Sequence, residues 1–72
     1  MSVEIFYCPV REGYDERAAS LAAELEGEGL DARAVKGAKS QFDVLSDGAL
    51  VYSKQREGRF PNPGEVLALL QG

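Results

Sequence analysis

The first apolar stretch, Val-Glu-Ile-Phe-Tyr at 3–7, sets Val3, Ile5 and Tyr7 against Glu4 and Phe6. Four of its five residues are β-branched or aromatic, which predicts a strand ending at Cys8-Pro9. The period then changes. Ala18, Leu21, Ala22 and Leu25 recur at helical spacing over 15–28, with Asp15 and Glu16 favourable in the first turn and Gly27 or Gly29 placed to stop the helix. Residues 31–35, Asp-Ala-Arg-Ala-Val, predict a second strand, parallel to the first, because strand, helix and strand in succession make a βαβ unit.

Two more apolar runs, Phe42–Ser46 and Ala49–Lys54, flank Asp47-Gly48, a dipeptide that tolerates the positive φ angles of a tight hairpin. A two-residue turn there opposes Leu45 to Leu50, Val44 to Val51 and Asp43 to Tyr52. Alternation then sends Phe42, Val44 and Val51 to one face and Leu45, Leu50 and Tyr52 to the other. Asn62-Pro-Gly-Glu65, a capping side chain, a proline and a glutamate ahead of Val66, Leu69 and Leu70, predicts a short second helix.

The order βαβ–ββα is expected to build a two-layer α/β sandwich. Its four-stranded mixed sheet would have the order 2-1-3-4, with two helices on one face. Phe6, Leu45, Leu50 and Tyr52 would remain on the uncovered face, a surface for a homodimer or a client protein.

Seventy-two residues bound this to a single domain, 1–72, with one modest core. The net charge of −4, from 12 acidic and 8 basic side chains, disfavours nucleic acid and anionic membrane, and no aromatic stacking platform or recognition motif argues otherwise. No charged segment precedes a long apolar run, so neither a signal peptide nor a membrane span is expected and the location is expected to be cytoplasmic. One cysteine and no histidine exclude an internal disulfide and any thiolate or imidazole metal cage.

The cations are unevenly placed. The expected topology gathers Arg11, Lys36, Lys39, Lys54, Arg56 and Arg59 in the three connections at the pole where the first strand delivers Cys8, leaving Arg17 and Arg33 elsewhere. Glu12 and Glu57 share that pole and dilute its charge.

Candidate chemistry centres on Cys8. A thiolate is the attacking species in disulfide exchange, and a helix amino terminus together with Arg11 would favour that form. Pro9 would set the entry of the chain into the helix, Val10 would shield the sulfur and Arg11 would supply charge. The same residue also suits a second role, a small buried apolar side chain ending a central strand.

Three stretches, "VEIFYCPV" running into "GYDERAASLAAEL", then "FDVLSDGALVYSK", then "REGRFPNPGEVLALL", resemble the selenoprotein W-like family, also called Rdx or SelT/SelW/SelH. The resemblance implies a thioredoxin-like fold and redox work, with Cys8 at the first position of the family's Cys-x-x-Cys signature and Gly13-Tyr14 matching the glycine and aromatic residue beyond it. Arg11-Glu12 stand where the family has one cysteine, so the loop is one residue longer and the resolving thiol has no counterpart.

A monothiol oxidoreductase is then expected, forming a mixed disulfide or a glutathionyl adduct at Cys8. It would have no bound cofactor, glutathione or another low-molecular-weight thiol as co-substrate, and a redox client protein as partner. Lys36, Lys39, Lys54, Arg56 and Arg59 would take the anionic groups of a thiol substrate. The competing expectation is a non-enzymatic protein-binding domain that keeps the fold around a degenerate motif. Residues 36–41 contain no proline, so the substrate-backbone cradle that a cis-proline makes in thioredoxins is not expected.

Overall fold

A computed structural model describes residues 2–71. The elements run β1 (Ser2–Tyr7), α1 (Tyr14–Gly27), β2 (Asp31–Lys36), β3 (Phe42–Ser46), β4 (Ala49–Ser53), α2 (Lys54–Glu57) and α3 (Glu65–Gln71). The sheet order is β2-β1-β3-β4, with β1 parallel to β2 and antiparallel to β3, as the pattern of elements predicts.

Each end of α1 has a local cause. Gly13 takes the amino-terminal cap at φ 85°, and Arg17 N–H makes the first helical bond to its carbonyl at 3.1 Å. At the other end Gly29, at φ 86°, lets its own N–H reach Glu26 O at 3.0 Å while Leu30 N–H reaches Leu25 O at 3.1 Å. This reversal satisfies carbonyls the helix leaves free, and Leu30 packs against the core beside it.

Val3 and Ile5 of β1 lie fully buried beneath Ala18, Leu21, Ala22 and Leu25 of α1. Ala32, Phe42, Val44, Tyr52 and Val66 complete one continuous core. Asp47 and Gly48 both take positive φ, 50° and 85°, in the two-residue turn the sequence predicts. That turn is tied to the start of β1, because Asp47 N–H donates to Ser2 O at 2.8 Å and Ser2 N–H to Asp47 Oδ1 at 2.9 Å.

The hairpin departs from its expected register one step beyond the turn. Leu45 faces Leu50, but Val44 faces Tyr52 and Asp43 faces Ser53, so Val51 is an extra residue at a β-bulge. The slip carries Tyr52 to the helix-covered side, where it is 2% exposed and its hydroxyl donates to Arg59 O at 2.8 Å. Tyr52 therefore does not belong to the uncovered face. There Phe6 and Leu45 are half-buried, Leu50 is exposed, and Arg33 pairs with Glu4 at 2.8 Å.

Lys54, expected in the last strand, instead begins the one-turn α2, capped by Ser53 Oγ accepting from Arg56 N–H at 3.5 Å. Among the described residues there are thus three helices rather than the two expected. In α3 the buried contact is Val66, with Leu67 and Leu70 half-buried, while Leu69 is 53% exposed. Glu65 Oε1 accepts from Asn62 N–H at 2.9 Å, the glutamate half of the predicted cap.

Candidate functional site around Cys8

Cys8 lies one residue past β1 and has no exposed surface. It is one of the fully buried side chains of the interior, though not a member of the main apolar cluster. Its enclosure is made of loops. Cys8 N–H donates to Gln41 O at 2.8 Å, and Gly37 N–H donates to Tyr7 O at 2.7 Å, so the segment 37–41 between β2 and β3 is stitched to the end of β1.

The Gln41 side chain holds this segment closed. Its Oε1 accepts from Ala38 N–H at 2.7 Å and its Nε2 donates to Asp43 Oδ2 at 2.9 Å. A β-carbon at Gly37 would meet the end of the Gln41 side chain and push it away from the position where it bonds Ala38 N–H and Asp43.

Two opposing effects act on the thiol. Desolvation, the largest single influence, pushes its pKa up; backbone N–H groups of Ser40, Val10 and Arg11, together with the Arg11 charge, outweigh it and hold the thiol below its ordinary value. The surroundings are therefore sealed but polar, an arrangement of loop amides that suits an anion. The amides acting on the sulfur belong to the turn after Cys8 and to the loop before β3, whereas α1 begins further on, at Tyr14.

Ser40, which the sequence does not single out, is central to this, and its φ of 63° turns the backbone at that point. A proline there would have no N–H to offer. The loop has none, and no peptide bond among the described residues is cis.

The expected supporting residues divide. Arg11 contributes the smallest of the influences that lower the thiol, through both its backbone N–H and its charge. Val10 is 78% exposed, so its side chain turns to solvent instead of shielding the sulfur, and Pro9 is also exposed in the turn. Lys36 and Lys39 are exposed at the end of β2 and in the following loop.

Arg56 and Arg59 are not free cations: Arg56 pairs with Glu57 at 3.3 Å, and Arg59 grips both oxygens of Glu65 at 2.7 and 2.8 Å. The Arg59 bond, reinforced by the Asn62 N–H, lowers the Glu65 carboxyl from 4.5 to about 2, and Arg59 is shifted upward in turn.

Beside this pole stands an aromatic cluster that the sequence pattern did not reveal. Phe60 meets Phe42 and Tyr14 edge to face, with centroids 5.0 and 4.9 Å apart. Arg17 lies over the Phe60 ring, 4.3 Å from its centroid, and Lys54 Nζ stands 5.2 Å from the same centroid and 5.8 Å from that of Tyr14. Arg17 therefore joins the cationic side of the molecule, contrary to the expectation that it falls elsewhere. The available signal was Arg17 one turn into a helix whose first residue is an aromatic, facing the Arg59-Phe60-Pro61 segment.

Among the described residues there is no group of three or more cysteine and carboxylate side chains able to hold a metal, and no helix long and apolar enough to cross a membrane.

The model of the Rdx family matches residues 2–72. Among solved structures, a selenoprotein W-related protein from Vibrio cholerae superposes with a TM-score of 0.82 at 23% identity, covering 97% of this chain and 91% of that one. A Bordetella parapertussis protein superposes with a TM-score of 0.84 at 26% identity, covering 97% and 92%. No curated protein matches the chain. These likenesses show the fold to be thioredoxin-like, of the selenoprotein W-related kind.

Proposed function

The chain belongs to the Rdx family, and from that premise we propose that it is a thiol-dependent redox protein working through Cys8 alone. One observation carries the reading: the backbone N–H groups of Ser40, Val10 and Arg11 and the Arg11 charge stand at the only thiol and outweigh the effect of its burial. Such surroundings favour the thiolate, the form that attacks a disulfide.

In the proposed cycle the Cys8 thiolate attacks the glutathionyl sulfur of a client mixed disulfide. The new bond joins Cys8 to glutathione, and the client sulfur leaves as thiolate. A free glutathione thiolate then attacks the adduct, forming oxidised glutathione and restoring the Cys8 thiolate. No second cysteine is needed, since the external thiol resolves the adduct.

Arg11, Lys36 and Lys39, all exposed, would meet the carboxylates of the glutathionyl group. With Arg56 and Arg59 committed to glutamates, they are less suited to that role. Because the thiol has no exposed surface, each turnover requires the 37–41 segment or the turn after Cys8 to open.

That burial also supports the second reading, a protein-binding domain retaining the fold around an idle cysteine. Mass spectrometry after exposure to oxidised glutathione separates the two. A prompt adduct of one glutathionyl group, missing from Cys8→Ser and removed by reduced glutathione, is the expected result. A native protein that stays unmodified while its urea-unfolded form reacts would leave the binding-domain reading in place.

A further inference from the structure

A cleft of about 220 Å³ opens between α1 and the segment 60–63, and Cys8 is not among the residues that line it. Arg17 and Glu24 line its helical side with Leu21 between them, and Phe60, Pro61 and Pro63 line the opposite side. Seven residues on an α-helix make almost two full turns, so Arg17 and Glu24 share one face about 10 Å apart along the axis.

The two charged ends differ in sign and neither is fully used. Arg17 lies over the Phe60 ring, and the ion pairs among the described residues do not include it. Glu24 Oε2 accepts from Gly64 N–H at 3.0 Å, leaving acceptor capacity on the carboxylate. Between them the surface is leucine, phenylalanine and proline. The ligand that complements this surface carries a carboxylate at one end, an ammonium at the other and an apolar middle.

Size narrows the class. An extended peptide spans at most ~3.3–3.6 Å per residue, so three residues reach ~10 Å, the axial separation of residues 17 and 24 on the helix. Pro61 and Pro63 have no N–H, so a bound peptide cannot add to this segment as a paired strand and must be recognised by its ends. We propose that the cleft binds short peptides of about three residues with both termini free, carboxylate toward Arg17, ammonium toward Glu24 and an apolar central side chain over Leu21 and Phe60.

The test is an amide-resonance NMR titration of the whole chain with Gly-Leu-Gly, its amino-acetylated form, its carboxy-amidated form and the doubly blocked form. Saturable shifts at Ser20, Leu21, Glu24 and Phe60 are expected with the free peptide, and blocking both ends should weaken binding about tenfold or more. Arg17→Gln should erase the penalty for amidation. Glu24→Gln, which still offers an acceptor to Gly64 N–H, should erase the penalty for acetylation. Equal affinity for free and doubly blocked peptides, or no saturable shift in the cleft up to about 10 mM, would overturn the proposal.

Discussion

The N–H of Cys8 donates to the carbonyl of Gln41 at 2.8 Å, so the residue that carries the thiol and the loop that seals it form one hydrogen-bonded unit. Access to the sulfur is then a property of the 37–41 segment as much as of the cysteine.

Loosening that segment should expose the thiol without unfolding the domain. Gln41→Ala deletes the bonds to Ala38 N–H and Asp43. If closure weakens by about 1.4 kcal/mol, the open population rises about tenfold, and iodoacetamide should alkylate Cys8 faster by that factor. The far-ultraviolet spectrum should be unchanged. An unaltered alkylation rate would place the barrier in the turn after Cys8.

The Arg11 charge helps keep the thiol pKa low, so Arg11→Gln should move the pH midpoint of alkylation upward. The guanidinium is exposed, and stability at neutral pH should change little. The depressed pKa fixes the sign of the linkage. Cys8 adds stability above the thiol's unfolded value, ~8.5, and this contribution is lost as pH falls through its folded value. Urea midpoints from pH 6 to about 9 should therefore rise more for the native chain than for Cys8→Ser.

Glu65, held at about 2 by Arg59, contributes stability that is complete above its unfolded pKa of ~4.3 and is lost as pH falls toward 2. Glu65→Gln should lower the urea midpoint at pH 6. The gap between variant and native protein should close on acidification to pH 2.5. A gap that persists at low pH would mean that the pair acts through packing and not through charge.

Tyr52 is a buried phenol whose pKa is raised, chiefly by desolvation. Alkaline titration at 295 nm should show one of the three tyrosines ionising late. Stability tied to its neutral form is present below ~10 and is lost as pH climbs toward the raised value. Tyr52→Phe removes the 2.8 Å bond to Arg59 O and should cost about 1 kcal/mol, or ~5 °C in Tm.

The strands, the long helix, the Asp47-Gly48 turn and the order of the sheet were all legible in the chain, because they rest on local choices. Alternation marks a pleated face, Ala18, Leu21, Ala22 and Leu25 mark a helical stripe, and positive φ demands Gly29 or Asp47-Gly48. The family resemblance and the placing of Cys8 just past the end of β1 rest on the same local order.

Tertiary structure decided the matters of competition between distant groups. Tyr52 crosses to the core because its large ring packs among the apolar side chains there and its hydroxyl reaches the Arg59 carbonyl, and the strand yields one residue, Val51, to a bulge. Arg59 and Arg17 read alike as cations, yet one is consumed by Glu65 and the other lies on Phe60. Cys8 is fully buried, yet the turn after it supplies the Val10 and Arg11 amides and the returning 37–41 loop supplies that of Ser40. Periodicity records which face a residue prefers, whereas backbone N–H groups are common to every residue except proline, so only the folded path of the loops shows where they converge.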